Sequence, residues 1–398
     1  MSVLPRDWSM TKVKYLASYM NGYPFAPTDW EDGGKPIVRI QNLTDPEASW
    51  NTTTLDVPQC YTVEAGDILI SWSASLGVYV WEREPALLNQ HIFKAIPTKE
   101  VERRYFVWAA KWFVGELQSQ AHGSTMQHLT KDVFGGFAVP LPPKAEQTRI
   151  ANFLDEQTAR IDALIAEKER LIERLEEYRQ AWLSWLLESP RGSIKTRLKF
   201  CLATSLQYGA TESGDVDAVG PRYIRITDIG EDGSLSDDSV KFLTEEQASA
   251  YLLDDGDVLF ARSGATVGKS FIYRSCVGRA AFAGYLIRAR LDQRKLLPEY
   301  LALLTETHKY WAYLREEETQ STIQNASADK YANFPIALPS ISEQSAYLAQ
   351  IRPTLDNIVR LVFHTTSHVA LLSEYRASLI SAAVTGQLDV DGFKSGLS

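Results

Sequence analysis

The sequence is poor in the residues that build covalent or metal-linked scaffolds. Three cysteines in 398 residues (Cys60, Cys201 and Cys276) lie far apart and form no Cys-x-x-Cys pair, which excludes a disulfide framework and a zinc site of the usual spacing. The six histidines include no His-Glu-x-x-His pattern. His364 and His368, one helical turn apart, are interpreted as packing or surface residues, so we expect no metal on this chain.

Long apolar runs are also missing. No stretch approaches the roughly 18 residues of a membrane-spanning helix, and the N-terminal segment lacks the apolar core and cleavage site of a signal peptide. The expectation is a cytoplasmic protein without membrane contact. Neither a Gly-x-Ser-x-Gly elbow nor the Asn/Asp-Pro-Pro-aromatic motif of an amino-methylating enzyme is present, so the chain is interpreted as non-enzymatic.

Net positive charge is the third absence. The formal net charge of −9 argues mildly against nucleic acid, because phosphate binding favours a basic surface. Residues 257–300 are an exception, since they hold eight basic side chains against three acidic ones, whereas residues 210–255 are mostly acidic. A solvated face and a phosphate-binding face explain this stretch equally well. Its basic residues are Arg262, Lys269, Arg274, Arg279, Arg288, Arg290, Arg294 and Lys295.

What the sequence does contain is a second copy of itself. Through the most regular part, the copies are separated by a constant 197 residues: Ser124–Gln127 and Ser321–Gln324, Glu146-Gln147 and Glu343-Gln344, Tyr178-Arg179 and Tyr375-Arg376. Upstream, the offset falls to 190 at Gly66-Asp67 and Gly256-Asp257, and to 186 at Arg39/Arg225 and at Leu16-Ala17/Leu202-Ala203. This period is far too long for a solenoid. It predicts two copies of a whole domain.

Each copy is predicted to contain the same elements in the same order. A β-branched strand with an arginine inside it (Arg39 or Arg225) precedes a Gly-Asp turn that leads into a short buried strand. An amphipathic, aromatic-rich helix follows, at Glu102–Gln118 and Pro298–Leu314. Each copy then passes through the Ser-Thr-x-Gln segment into a last strand that ends at Leu-Pro.

After that Leu-Pro, each copy continues as one long helix with a heptad seam of about five heptads, which polar Lys168 and Thr365 interrupt. Each helix exposes an apolar stripe that only the other is long enough to cover. We therefore predict that the two helices pair, antiparallel, as a coiled-coil spacer. The predicted seam is Leu154, Ile161, Leu164, Leu171, Leu175, Tyr178, Trp182 and Trp185 in copy one and Ile351, Ile358, Leu361, Leu372, Tyr375 and Leu379 in copy two.

The predicted fold class is α+β, with two similar mixed α/β domains joined by two long antiparallel helices in a pseudo-two-fold repeat. The predicted bounds are 1–143 for the first domain, 144–188 for the central helix, 189–340 for the second domain, 341–386 for the C-terminal helix and 387–398 for a tail.

Residues 264–270 (GATVGKS) imitate a nucleotide-binding phosphate loop. The true motif has four residues between its glycines, and this one has three. A helix must follow its lysine, but Phe271-Ile272-Tyr273 predicts a strand. The equivalent segment 73–79 of copy one has no lysine. The interpretation as an ATP site is therefore rejected.

Two loops at the ends of the predicted buried strands are the candidate nucleic-acid contacts. Residues 71–73 and 261–263 combine hydroxyls with an aromatic or guanidinium group; Asn89-Gln90-His91 offers amides suited to adenine edges, Arg262 suits guanine and Lys269 a phosphate. An ordinary surface loop is the competing interpretation for each, and for the repeated Gln127 and Gln324 a structural turn is favoured. The candidate set is Ser71, Trp72, Ser73, Asn89, Gln90, His91, Lys94, Arg262, Ser263, Thr266 and Lys269.

These motifs occur twice in the same order, and through them the chain resembles the DNA-specificity subunit of type I restriction-modification systems over essentially its full length. The resemblance rests on Arg39-Ile40-Gln41-Asn42 with Arg225-Ile226-Thr227-Asp228, on the two Gly-Asp-(Ile/Val)-Leu turns, on GSTMQHLTK, and on LPPKAEQTRIANFLD with its counterpart LPSISEQSAYLAQI. One departure is that copy two has Gly284-Tyr285 where the family-like Asn-Gln stands in copy one. Different base preferences in the two domains are therefore expected.

The resemblance implies two target-recognition domains, each contacting one half of a bipartite double-stranded DNA target, with paired helices that set their separation. It also implies two modification (methyltransferase) subunits that carry S-adenosylmethionine and methylate adenine N6, and a restriction/translocase subunit that uses ATP and Mg. No cofactor is expected on this chain.

Two other functions stay open from the residues alone. A protein-assembly scaffold without a DNA role would use the aromatic-rich helices around Trp108, Trp112, Tyr310 and Trp311 as partner surfaces. A self-sufficient endonuclease is disfavoured, because the sequence offers no plausible acidic metal cluster.

Overall fold

The computed structural model describes residues 4–45, 47–73, 75–122, 131–188, 190, 192–230, 234–316 and 325–393. The repeated Ser124–Gln127 and Ser321–Gln324 segments, and with them nearly all of the GSTMQHLTK phrase, lie outside the described residues. The chain divides into two compact units. Unit 1 comprises Met1–Lys168 and Ser367–Ser398, and unit 2 comprises Glu169–Thr366.

The described residues of unit 1 form ten strands, three short or medium helices, the start of one long helix and the end of another. The strands are β1 (Ser9–Lys12), β2 (Ala17–Asn21), β3 (Lys35–Val38), β4 (Asn51–Thr53), β5 (Thr62–Val63), β6 (Ile68–Ser71), β7 (Gly77–Val80), β8 (Ala86–Leu88), β9 (Ile92–Pro97) and β10 (Ala138–Leu141). The helices are α1 (Ile40–Thr44), α2 (Arg103–His122), α3 (Lys131–Gly136) and α4 (Lys144–Leu187).

Unit 2 contains the other strands and helices. The strands are β11 (Ile194–Arg197), β12 (Gln207–Tyr208), β13 (Arg222–Ile224), β14 (Lys241–Phe242), β15 (Val258–Ala261), β16 (Ser270–Ile272), β17 (Ala280–Phe282), β18 (Leu286–Ala289) and β19 (Pro335–Leu338). The helices are α5 (Glu245–Ala248), α6 (Pro298–Leu304), α7 (His308–Arg315), α8 (Ala328–Ala332) and α9 (Ile341–Val384).

The sheets repeat from one unit to the other. In unit 1 the strand orders are β2-β9-β6-β7, β4-β3-β8-β5 and β1-β10; in unit 2 they are β12-β18-β15-β16, β14-β13-β17 and β11-β19. In each unit one parallel pair, β3 with β8 or β13 with β17, lies among antiparallel ones. This confirms the predicted class of two similar mixed α/β domains in an internal repeat.

A buried glutamine anchors the start of each long helix. Gln147 accepts a hydrogen bond from Glu102 N (2.7 Å) and donates to Pro142 O (2.8 Å). Gln344 accepts from Leu297 N (2.9 Å) and donates to Pro339 O (2.9 Å). Each amide also donates to one further carbonyl, of Glu100 or Lys295. The repeated glutamine therefore fixes the start of each long helix to the segments before it.

The long helices α4 and α9 lie inside the predicted segments 144–188 and 341–386. In unit 1 their segments run antiparallel: Asp162 of α4 pairs with Arg376 of α9 (2.7 Å), and Arg149, nearer the start of α4, pairs with Asp391, which follows the end of α9 (3.5 Å). The predicted seam is only partly buried. Leu154, Ile161, Ile351, Ile358 and Leu379 are buried; Leu164, Leu175, Trp182 and Leu372 are half-buried; Leu171, Tyr178, Trp185, Leu361 and Tyr375 are exposed.

Two sequence predictions about local structure are wrong. Arg39 and Arg225 do not lie inside a strand; each follows one and caps a helical turn, because its backbone N–H donates to Asn42 Oδ1 (3.1 Å) or Asp228 Oδ2 (2.8 Å). The helix predicted at Pro298–Leu314 is two helices, α6 and α7. It breaks because the Thr307 hydroxyl accepts from Tyr310 N and starts a new N-terminus there.

The repeat is also out of register by one residue at its start. Val13 N donates to Phe137 O (2.9 Å) and Leu198 N to Phe334 O (3.0 Å), which aligns Val13 with Leu198. Leu16 therefore corresponds to Cys201 rather than to Leu202. The backbone hydrogen bonds, and not the shared Leu-Ala letters, determine this alignment.

The end of α9 meets the start of copy one. A Cβ at Gly386 would lie 2.8 Å from Pro5 Cδ and 3.2 Å from the Trp8 ring. Pro5 and Pro190 begin the same turn, because Trp8 N donates to Pro5 O (3.0 Å) and Ser193 N to Pro190 O (3.3 Å). In copy two, α4 leads to that proline through the peptide chain itself.

Candidate nucleic-acid interface

In unit 1, three backbone segments cross tightly beyond the end of β6. Tyr23 N donates to Leu88 O (2.7 Å), Gln90 N donates to Tyr23 O (3.0 Å), and Trp72 N donates to His91 O (3.4 Å). A Cβ at Gly22 would lie 2.3 Å from the carbonyl oxygens of Leu88 and Asn89, so only glycine fits there. We call this place the loop crossing of unit 1.

The same crossing recurs in unit 2. Ala210 N donates to Phe282 O (2.9 Å), Gly284 N to Ala210 O (2.7 Å), and Arg262 N to Tyr285 O (3.0 Å). Gly209 corresponds to Gly22, since its Cβ would lie 2.3 Å from Ala283 O. The two units therefore share a backbone frame at the ends of β6 and β15.

The side chains on this frame differ. At the unit 1 crossing, the Trp72 ring lies 5.7 Å from that of Phe93 and 5.6 Å from that of His91. Among the described residues, buried Trp72 Nε1 and Asn21 Oδ1 have no hydrogen-bond partner. Such unsatisfied groups are rare in buried positions. His91 is exposed at this surface.

At the unit 2 crossing, a guanidinium takes the place of the indole. Arg262 lies over the Tyr208 ring, 4.7 Å from its centroid, and Arg262 Nε is 3.5 Å from Asn325 Oδ1. Tyr285 is 64% exposed. Ser263 pairs with Asn325 in an isolated backbone bridge. The crossing therefore presents an arginine and two tyrosines.

The remaining candidates of unit 1 have varied surroundings. Ser71 is buried and its hydroxyl donates to Ser75 O (2.6 Å). Ser73, Asn89 and Gln90 are half-buried. Lys94 lies away from the crossing and pairs with Asp67 (2.5 Å) while donating to Thr62 O (3.1 Å). Contacts within unit 1 thus account for Ser71 and Lys94.

The sequence comparison of the two loops was out of register. The hydrogen bonds align Asn89-Gln90-His91 with Ala283-Gly284-Tyr285, so Gly284-Tyr285 replaces Gln90-His91 and not Asn-Gln. Sequence reasoning also missed Gly22, Gly209 and Tyr208. A shared glycine after a short strand was the available signal, but its offset of 187 matches neither neighbouring offset.

The basic stretch of unit 2 is neutralised by carboxylates of the acidic stretch before it and by its own three carboxylates. Arg290 pairs with Asp254 and Asp257 (both 2.7 Å), and Arg279 pairs with Glu245 (2.8 Å). Arg274 pairs with Asp255 and Glu299, Arg294 and Lys295 pair with Asp292, and Arg288 donates to Leu252 O. Most of these side chains therefore hold the domain together rather than forming a free basic face.

Thr266 and Lys269 lie on the wall of a cavity of about 440 Å³ in unit 2. The cavity wall also includes Trp311 and the ion pair of Arg179 with Glu306 (2.6 Å). Burial raises the pKa of Glu306, against the opposing effect of the Arg179 guanidinium. The strand predicted after Lys269 is present as β16, so no helix N-terminus follows that lysine.

Trp108 and Tyr310 are buried in the cores of units 1 and 2, whereas Trp112 and Trp311 are half-buried against them. Among the residues with described positions, no three His, Cys, Asp or Glu side chains come together as metal ligands could. The described helices include none that is both long and apolar enough to span a bilayer.

The comparison with protein families decides between the open functions. The family described as "Type I restriction modification DNA specificity domain" matches residues 5–174 and 207–361. The chain belongs to this family. Its function is therefore DNA target specificity in a type I restriction-modification system.

Curated relatives match along nearly the whole chain. The EcoBI specificity subunit of Escherichia coli is 23% identical over 419 residues, covering 96% of this chain and 86% of the relative. The EcoKI specificity subunit of E. coli strain K12 is 22% identical, covering 97% and 90%. A chain from a solved structure on assembly and conformational transition of the type I R-M system shares the fold with a TM-score of 0.72, at 14% identity and covering 98% of this chain and 100% of that one.

Proposed function

We propose that each unit recognises one half of a bipartite double-stranded DNA target through its loop crossing, and that the two half-sites differ. The observation that carries this is the shared backbone frame with different side chains, Trp72 and His91 in unit 1 against Arg262 and Tyr285 in unit 2. A common frame with exchanged side chains is suited to presenting different hydrogen-bonding groups to base edges.

The chain acts without catalytic residues of its own. Two modification subunits bind it, carry S-adenosylmethionine and methylate adenine N6, and a restriction/translocase subunit adds ATP- and Mg-dependent movement and cleavage. Partners that share the phosphate contacts are compatible with the internal pairing of Arg274, Arg279 and Arg290, since these side chains need not neutralise DNA.

Helices α4 and α9 set the distance between the half-sites. Each has 44 residues, a length of about 66 Å at 1.5 Å per residue. Deleting one heptad from both, at the equivalent residues 165–171 and 362–368, shortens each helix by about 10 Å. We expect the unread spacer of the methylated sequence to shorten by about three base pairs, at 3.4 Å each.

The test is to co-express the full chain and the deletion variant with the neighbouring methyltransferase gene and to sequence the methylated sites. Deletion of one heptad from α4 alone is the matched control. It should abolish methylation, because the two helices then differ in length by seven residues. An unchanged spacer in the double deletion would overturn the spacer role. Absence of any sequence-specific methylation with the wild-type chain would overturn the proposed function itself.

A further inference from the structure

We infer that Arg262 recognises a guanine in the half-site of unit 2, and that Tyr208 and Asn325 are positioning residues that hold its guanidinium for this contact. The inference rests on the proposed function, which it deepens by naming the base and the atoms. It starts from a difference between Arg262 and the other basic residues of the 257–300 stretch.

Arg262 has guanidinium N–H donors that are not engaged by carboxylates, unlike other arginines of the 257–300 stretch. The guanidinium groups of Arg274, Arg279 and Arg290 are bound by carboxylates of their own domain. Within the described part of the chain, Nη1 and Nη2 of Arg262 have no hydrogen-bond acceptor, and only Nε has a contact, with Asn325 Oδ1. Two adjacent, unengaged N–H groups on one plane are what a bidentate contact requires.

The plane of that guanidinium is oriented from two directions. The Tyr208 ring, 4.7 Å away, supports one face, and Asn325 lies at the Nε edge. Tyr208 is itself fixed, because its hydroxyl accepts a hydrogen bond from Ala328 N at 3.0 Å. Stacking and an edge contact leave the side bearing Nη1 and Nη2 for a ligand, and they reduce the rotamer freedom that binding would otherwise remove.

Guanine is the base with the matching acceptors. In the major groove it presents O6 and N7, which accept a bidentate contact from arginine; adenine offers N7 beside a donor. A phosphate also accepts two hydrogen bonds from arginine, and it is the alternative ligand that the experiment must separate. The equivalent position in unit 1 is Trp72, so the inference concerns only the half-site of unit 2.

The test uses the full chain in complex with its methyltransferase subunits and the target found by sequencing of methylated sites. Each guanine of the target is replaced in turn by 7-deazaguanine, which lacks the N7 acceptor. With the wild-type chain, one guanine of one half-site should be sensitive, and its replacement should lower the methylation rate. Arg262→Ala should lower the rate on the natural site by roughly 5- to 150-fold and remove that sensitivity.

Arg262→Lys separates a base contact from a phosphate contact. Lysine keeps the charge but loses the planar pair of donors. It should therefore fail to restore discrimination at the sensitive guanine, while the salt dependence of binding stays as in the wild type. Full restoration by lysine, or a loss in Arg262→Ala that is equal for every base at each position, would overturn the guanine assignment in favour of a phosphate.

The positioning role of Tyr208 has its own variants. Tyr208→Leu should weaken discrimination at the same single guanine, whereas Tyr208→Phe, which keeps the ring, should restore most of it. Arg294→Ala is the control for loss of one positive charge, because Arg294 is exposed and pairs only with Asp292 in the described structure. Relaxed discrimination at all positions in Tyr208→Leu would mark a folding defect and overturn its assignment as a positioning residue. If the wild type methylates specifically but no guanine responds to Arg262 variants, only this inference fails and the proposed function stands.

Discussion

Units 1 and 2 share one backbone frame and differ in the side chains it carries. Gln147 and Gln344 make the same three hydrogen bonds. A Cβ at Gly22 or at Gly209 would lie 2.3 Å from an equivalent carbonyl oxygen, that of Asn89 or of Ala283. Yet Trp72 of unit 1 and Arg262 of unit 2 occupy equivalent positions in the two crossings. The frame is constrained by buried hydrogen bonds and close backbone contacts, and the side chains of the loops are not. A duplicated domain can therefore change its target without changing its fold.

The largest effect should come from the buried glutamines. Gln147→Leu or Gln344→Leu leaves one backbone N–H and two carbonyls without their partners, so each should lower the free energy of unfolding by about 4 kcal/mol. Guanidinium unfolding, with hydrogen exchange to assign the loss to a unit, measures it. Gln350→Leu, at an exposed position of α9, should change stability little. If only one of the two substitutions lowers the free energy of unfolding, the two backbone frames are not equivalent.

The glycines of the crossings should come next. Gly22→Ala or Gly209→Ala forces a carbonyl oxygen away from a Cβ that would lie 2.3 Å from it, and should cost about 3 kcal/mol in either unit. Gly115→Ala in α2 is the control, since its Cβ would meet nothing within 4 Å and alanine favours helix. Thermal unfolding compares the three; a tolerated alanine in one crossing would show that its backbone is not fixed.

Much of this architecture follows from the sequence, and some of it cannot. The constant offset of 197 predicts two domains and two long helices because helices tolerate no insertion without a change of face. The crossing was missed because a single glycine such as Gly22 does not show which residue of the other copy corresponds to it. That correspondence follows from hydrogen bonds between segments that are distant in the sequence. The role of the basic side chains in residues 257–300 could not be predicted either, since the pairing of Arg290 with Asp254 depends on the folded geometry.

A third prediction exploits one place where the units differ in charge. Arg179 and Arg376 occupy equivalent helix positions, but Arg179 pairs with Glu306, whereas Arg376 pairs with Asp162 and lies near Lys111. Arg179→Met should destabilise unit 2 by about 1 kcal/mol, because it leaves the half-buried Glu306 carboxylate without its ion-pair partner. Arg376→Met should change unit 1 by less than about 0.5 kcal/mol, because lost attraction and relieved repulsion offset each other. Equal losses in thermal unfolding would contradict this asymmetry.

The smallest effect is on pH dependence. The pKa of Glu306 is raised by burial, so the folded state binds the proton more tightly and unit 2 should lose stability as the pH rises from 4.5 through the raised pKa. Burial, with Arg376 adding to it, lowers the pKa of Lys111, so unit 1 should gain stability as the pH rises through that lowered pKa toward 10.5.

Calorimetry across pH, with Glu306→Gln and Lys111→Met, measures the two slopes. Each variant should flatten the slope of its own unit and leave the other unchanged, whereas Glu246→Gln, at an exposed site, should alter neither. A slope of the same sign in both units would contradict the assignment of these titrations to Glu306 and Lys111.

The contact of Gly386 with Pro5 and Trp8 has a consequence for how the chain is connected. Copy two receives its first turn from α4 through the peptide chain, and in copy one the end of α9 lies against the same turn without a peptide bond to it. Each long helix is thus followed by the turn that begins a copy, and only the link from α9 to Pro5 lacks a covalent bond. Joining residue 393 to Pro5 through a flexible linker, which keeps Leu388, Val390 and Phe393 against the core of unit 1, and opening the chain beside Pro190 should therefore yield the same fold from a different gene order.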